Sequence, residues 1–171
     1  MGNGCFTTLV IATCRNTGKR IFEEAVESLF AEPPGLRILT LVARERICHE
    51  TGSPCDCEIC PLAKGFYDRL PAGLAELRTH KTWKEKTWQG VAHKHQLCPF
   101  AFMMHAAREA DVILGDLNYA LDPSARLEFL FGKRPESVCL VIDEAHHLPD
   151  RARNMISATL DTRMIQDKIK L

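Results

Sequence analysis

Two adjacent carboxylates at the end of an apolar run are the residues best placed to do chemistry. Val138-Cys139-Leu140-Val141-Ile142 leads directly into Asp143-Glu144-Ala145-His146. Five consecutive apolar residues suit a strand buried on both faces, as in a parallel sheet, and such strands present reactive groups at their carboxyl ends. There one acid can hold Mg²⁺, directly or through water, while its neighbour orients the water that attacks a γ-phosphate. His146 would couple such a site to the rest of the molecule. The competing reading makes Asp143 a helix cap with Glu144 in the first turn.

Cysteines form the second chemical group. Cys48, Cys55, Cys57 and Cys60 fall within thirteen residues, and Cys98 follows after a gap of thirty-seven. With no secretion signal, they argue for metal or cluster ligation rather than a disulfide scaffold. Thiolates suit zinc or an iron-sulfur cluster, and spacing alone does not choose between them. A zinc site would use Cys57 and Cys60 with Cys98 and His93 or His95. Cys5, Cys14 and Cys139 lie in apolar surroundings and read as core residues.

The elements that must position these groups alternate as in an α/β protein. Thr7 to Thr13 reads as a buried strand. Lys19 to Phe30 reads as a helix with Ile21, Phe22, Ala25, Val26, Leu29 and Phe30 on one stripe, and Leu36 to Val42 as a second strand. Strand, helix, strand with short connections is the unit of a parallel sheet. From Arg44 to about His95 the pattern breaks into a polar insertion rich in Cys, His, Gly and Pro, with one convincing helix near Cys60 to Leu70. Regular structure resumes with a helix from Phe100 to Glu109, a strand from Asp111 to Leu114, and a short helix over Ser124 to Phe131. The strand before Asp143 and a helix from Arg151 to Lys170 complete the pattern.

Composition sets bounds. At 171 residues the chain has room for about one domain. Basic and acidic side chains number 22 each, so any surface for nucleic acid must come from local clustering. No stretch approaches the roughly 18 apolar residues of a membrane span, and a cytoplasmic protein without membrane contact is expected. Clustering occurs from Arg78 to His95, where Lys81, Lys84, Lys86 and Lys94 are interleaved with Trp83 and Trp88. Such a stretch is either a phosphate-neutralising patch with base-stacking rings or a solvated surface over a buried Trp.

The ordered motifs carry a specific resemblance. Asp143-Glu144-Ala145-His146 matches the box of the DEAH-type superfamily 2 helicases. Arg44-Glu45-Arg46-Ile47-Cys48, Cys55, Cys60-Pro61-Leu62-Ala63-Lys64-Gly65-Phe66-Tyr67-Asp68-Arg69 and Cys98-Pro99-Phe100 resemble the iron-sulfur domain of the XPD/DinG-type DNA helicases, above all their bacterial members. Ala110-Asp111-Val112-Ile113, Asp116 to Pro123 and Asp150-Arg151-Ala152-Arg153 are similar to the same family's first motor domain, and the resemblance is weakest from Leu70 to His95.

The resemblance implies a RecA-like parallel sheet of the P-loop NTPase type, interrupted by a small loop- and helix-rich cluster domain. It divides the chain into motor residues 1–43, an iron-sulfur insertion at 44–99, motor residues 100–150 with the DEAH box, and the start of an arch helix at 151–171. Cys48, Cys55, Cys60 and Cys98 would hold one 4Fe-4S cluster, with Cys57 a bystander or a substitute for Cys55. The cluster would tie together an insertion with little core of its own. Asp143, Glu144 and His146 would serve ATP hydrolysis with Mg²⁺. Arg15, Thr17, Arg44, Asn118 and Tyr119 would contact DNA, with an amide and a ring offered by the turn at Asn118 and Tyr119. Single-stranded and forked DNA, ATP and the rest of the helicase would be its partners, in 5′ to 3′ unwinding during repair or replication.

A phosphate loop of the form Gly, four residues, Gly-Lys-Ser/Thr is absent. The nearest fragment, Asn16-Thr17-Gly18-Lys19-Arg20, has Thr13 in place of the first Gly and Arg20 in place of the hydroxyl. An internal piece of a longer helicase, lacking the phosphate-loop strand and the second motor domain and inactive by itself, is therefore expected. The alternative function is a non-catalytic zinc- or cluster-binding module that binds nucleic acid or a partner protein.

Overall fold

The computed structural model describes residues 6–13, 16–29, 36–48, 59–80, 82–132 and 137–157. Its centre is a parallel sheet of four strands in the order β2-β3-β1-β4, built from β1 (Thr8–Thr13), β2 (Ile38–Thr40), β3 (Val112–Asp116) and β4 (Val138–Ile142). Consecutive parallel strands need crossover connections. The chain supplies them with α1 (Asn16–Leu29) between β1 and β2, and with the whole insertion between β2 and β3. The architecture is α/β with a parallel sheet, as expected.

Alternation along the strands sorts side chains to two faces. Val10, Leu39 and Ile113 join the larger core, whereas Ile11, Val112 and Leu114 meet Phe22 and Val26 on α1. On α1 Ile21 is exposed while Phe22 and Val26, one turn apart, are covered; the side chains of Leu29 and Phe30 lie outside the described residues. β4 also departs from expectation. It is not buried on both faces: its residues are only partly covered and Val141 is 41% exposed, because β4 forms an edge of the described sheet.

The insertion is more helical, and better packed, than its composition suggests. It contains α2 (Arg44–Ile47), α3 (Phe66–Thr79) and α4 (Glu85–Lys94), followed by α5 (Pro99–Ala106). Leu77, Trp83, Trp88, Leu97, Phe102 and Met103 are buried in one cluster with Leu39, Leu41 and Val42 of the β2 segment. The insertion thus shares the core of the sheet, which corrects the expectation of a segment with little core of its own. Trp83 bridges to Leu39, which covers the outer side of β2. Arg37 at the start of that segment makes a two-pronged ion pair with Asp111 at the start of β3, with contacts of 2.9 and 2.8 Å, and holds the two strand entrances in register.

Both tryptophans are fully buried, and two of the surrounding cations are already paired, Arg78 with Glu109 and Lys94 with Glu76. This excludes the base-stacking reading of the stretch from Arg78 to His95 and favours the structural one. Trp83 turns inward from the segment that bridges to β2, and Trp88 from the inner face of α4. Beyond β3, the chain adds α6 (Asn118–Leu121) and α7 (Glu128–Phe131), then β4, a 3₁₀ turn (Ala145–His147) and α8 (Leu148–Ile156). The remainder of the helix expected up to Lys170 lies outside the described residues.

Candidate functional site

Strand register lines up polar groups at one end of the sheet. Thr13 lies opposite Asp116, Ala12 lies opposite Ile142, and the backbone N–H of Asp143 donates to the Ala12 carbonyl at 2.9 Å. Asp143 therefore continues the ladder by one position before the chain turns. Glu144 makes the turn in a left-handed conformation, φ 55° and ψ 44°. For a residue with a Cβ this costs on the order of 1 kcal/mol, the kind of local strain that concentrates at working sites. The neighbouring acids are consequently not arranged as a helix cap, since the turn that follows has no side-chain cap hydrogen bond.

His146 Nδ1 lies 3.2 Å from Glu144 Oε2, and the His146 and His147 rings are 3.9 Å apart between centroids. Among the described residues, Glu144, His146 and His147 are the one set of three whose ligand atoms fall within 4.8 Å of each other. Both Glu144 and His146 are open to solvent. His147 is a member of this group that sequence reasoning missed; its position next to His146 was the available signal.

On the same side of the sheet lies a cleft of about 700 Å³. Its walls include Arg44 and Arg46 from α2, Asn118 and Tyr119 from α6, and Arg126 before α7. Three of the residues expected to touch DNA, Arg44, Asn118 and Tyr119, are thus brought together. Arg46 and Arg126 were not foreseen, because no local pattern places either beside Asn118. Glu45 and Asp116 also line the cleft, so its charge is mixed.

Two details correct the expected contacts. The backbone amide of Asn118 is not available for a nucleic-acid strand, since it donates to Asp116 Oδ1 at 2.9 Å. Tyr119 is half-buried, and its hydroxyl donates to the Val42 carbonyl at 3.1 Å. Burial, reinforced by Glu45 and Asp116, pushes its phenol up to about 12. Arg15 lies outside the described residues; Thr17 falls in the first turn of α1, and its side chain lies outside them too.

The cysteines occupy the ends of helical segments in the insertion. Cys48 closes α2, Cys60 accepts the amides of Ala63 and Lys64 at the head of a tight turn, and Cys98 precedes α5. Residues beside all three, Ile47, Leu62, Leu97 and Pro99, line one cavity of about 420 Å³. Cys55 and Cys57 lie outside the described residues. The thiols of Cys48, Cys60 and Cys98 are not gathered within 4.8 Å as a set. Thiolates on a single tetrahedral zinc sit about 3.8 Å apart, whereas those on a cluster must span several irons. His95, a candidate zinc ligand, instead binds Glu76 at 2.8 Å. Chain neighbours of three soft donors from separate segments thus line one cavity, and thiolates of this kind suit zinc or an iron-sulfur cluster.

Comparison with known proteins supplies the family. Residues 36–165 match DEAD_2. The chain belongs to the DEAD_2 family. It is similar to the general transcription and DNA repair factor IIH helicase subunit XPD of Dictyostelium discoideum, 27% identical over 105 residues, which are 61% of this chain and 13% of that protein. It is likewise similar to the ATP-dependent DNA helicase DinG of Photobacterium profundum, 44% identical over 68 residues, covering 38% of this chain and 9% of the relative. A Fanconi anemia group J protein homolog of Gallus gallus is 31% identical over 83 residues, 46% of this chain and 6% of that protein. These DEAD_2 relatives are far longer than the region they share with this chain. The resemblance to XPD- and DinG-type helicases is borne out, and no described helix is long and apolar enough to cross a membrane.

Proposed function

We propose that this DEAD_2 chain forms the DNA- and nucleotide-facing part of the first motor domain of an ATP-dependent DNA helicase, and that its insertion carries a 4Fe-4S cluster. The observation that carries the reading is the convergence of two features on the carboxyl end of one parallel sheet: the strained Asp143-Glu144 turn and the cleft lined by Arg44, Asn118 and Tyr119. Asp143 would hold Mg²⁺, which neutralises phosphate charge. Glu144 would orient the attacking water, and His146, paired to Glu144, would report its position to neighbouring segments.

Cys48, Cys55, Cys60 and Cys98 would be the cluster ligands, and the bonds they make would add to the apolar core already present in residues 44–99. Arg44, Arg46 and Arg126 would neutralise phosphates of single-stranded DNA whatever its sequence. A motor that combines these parts would unwind forked DNA in repair or replication, with 5′ to 3′ movement.

Anaerobic reconstitution with iron and sulfide, followed by visible absorption and iron counting, tests the cluster. A colourless product with stoichiometric zinc would favour the non-catalytic module. In a helicase carrying a phosphate loop and a second motor domain beside this sequence, Glu144→Gln is expected to lower ATP turnover at least about 100-fold while sparing DNA binding. Arg44→Ala should weaken single-stranded DNA binding uniformly across sequences and reduce the salt slope by about 1. Turnover untouched by Glu144→Gln would sink the assignment of that acid.

A further inference from the structure

Arg69 joins two cysteine-bearing segments that are distant in sequence. It projects from the first turn of α3, and its Nη2 donates to the Gln96 carbonyl at 3.0 Å and, more weakly, to the Leu62 carbonyl at 3.4 Å. Leu62 lies in the turn that begins at Cys60, and Gln96 lies two residues before Cys98. One guanidinium therefore spans the Cys60 turn and the approach to Cys98, and both Leu62 and Gln96 also line the cavity beside the cysteines.

Three further observations show that this placement is built in. The Arg69 Nε is buried with no hydrogen-bond partner among the described residues, so it is a donor held without an acceptor of its own. Gly65 precedes α3 with φ 64°, and a Cβ there would come within 2.9 Å of Arg69 Nη1, so the turn leaves room for the guanidinium to fold back over it. Gln96 itself adopts a positive φ of 51°, which turns its carbonyl segment sharply before Cys98. An unsatisfied buried donor is unfavourable unless some group accepts from it, and a rigid cation suits the neighbourhood of anionic thiolates.

We propose that Arg69 is the positioning residue that sets Cys60 against Cys98 and holds an N–H donor and a positive charge toward the centre these thiolates bind. The assignment rests on the cluster reading above. Arg69 does not ligate. It fixes the spacing of two ligands and, through its charge, favours the ligated anionic state over the vacant one.

The test uses the 171-residue chain, reconstituted anaerobically with iron and sulfide, as wild type, Arg69→Lys and Arg69→Gln. Visible absorption and electron paramagnetic resonance of the reduced cluster report the centre, and far-ultraviolet circular dichroism reports the fold. Cluster loss to a chelator is expected to be roughly tenfold faster in Arg69→Gln than in wild type, with Arg69→Lys between them, at unchanged helix content. Hydrogen exchange on the metal-free proteins should speed up over residues 60–65 and 96–99 in Arg69→Gln. If that variant loses its helix content, Arg69→Lys, which keeps the charge, carries the comparison.

Equal loss rates and equal exchange in wild type and folded variants would overturn the role of Arg69 while leaving the cluster reading intact. A wild-type chain that takes up no cluster overturns the cluster reading first, and it is recognised before any variant is made.

Discussion

Replacing Trp88 tests whether the basic insertion works through its core or through its surface. Trp88 is completely buried on α4, and its indole N–H has no hydrogen-bond partner among the described residues. Trp88→Ala opens a large cavity and is expected to destabilise the chain by about 3–5 kcal/mol. For a domain of this length that is a fall in melting temperature on the order of 10 °C. Trp88→Phe differs in kind. It loses roughly 1 kcal/mol of packing but also removes a buried, unsatisfied donor whose burial costs about 1–3 kcal/mol, so the two terms nearly cancel. The assay pairs thermal unfolding with fluorescence-anisotropy titration of a labelled single-stranded oligonucleotide. Trp88→Phe should melt within a few degrees of wild type and bind DNA within twofold. A base stacked on this ring would contribute about 1–3 kcal/mol, a loss of at least about fivefold on its removal. Such a loss in a folded Trp88→Leu, which has no aromatic face, or quenching of the Trp88 emission by DNA in a Trp83→Phe background, would refute the assignment of the ring to the core.

Two glycine replacements should have opposite signs. At Gly73 a new Cβ would lie 2.6 Å from Leu97 Cδ1 and 3.1 Å from Phe102 Cε2, both in buried side chains, so overpacking of about 1–3 kcal/mol outweighs the helix-propensity gain of about 1 kcal/mol. At Gly90 nothing lies within 4 Å, and Gly90→Ala should raise stability by up to about 1 kcal/mol; urea unfolding of both variants checks the pair. Burial, with a smaller contribution from Arg108, holds His105 below its ordinary pKa. The unfolded chain therefore takes up this proton first, and stability should fall as pH drops from about 6.5 toward the folded value. Urea midpoints at several pH values should show a shallower fall in His105→Gln. Tyr119, shifted to about 12, should be only about one tenth phenolate at a pH of about 11, where an ordinary tyrosine is mostly ionised; ultraviolet difference absorption in a Tyr67→Phe background isolates it. Tyr119→Phe should cost about 1 kcal/mol through loss of the bond to the Val42 carbonyl.

Much of the sheet was legible because parallel strands and their crossover helices have local signatures. The apolar runs at β1 and β4 and the turn chemistry between them lie within windows of a few residues. The helix α4 was not legible. Its residues from Glu85 to Lys94 are mostly polar, and its three inward positions, Trp88, Val91 and Ala92, become a pattern only when there is a core to face. The residues of the cleft divide in the same way. Arg44, Asn118 and Tyr119 stand in recognisable motifs and Arg46 shares that of Arg44, whereas Arg126 enters the cleft only because the segment before α7 folds against the same sheet end.

By itself the sequence determined which residues carry reactive groups and in what order they come: the acids after an apolar strand, the thiols within an insertion, the strand and helix periods that alternate around them. These are properties of composition and short-range spacing. Tertiary structure alone decided which of those groups meet. The register that puts Asp143 beside Ala12, the contact that ties Arg69 to Gln96 and the bridge from Trp83 to Leu39 join residues from 27 to 131 positions apart in sequence. No local preference encodes such contacts. They follow from packing several helices and strands at once on a shared apolar core, so they become visible only when the whole chain has folded.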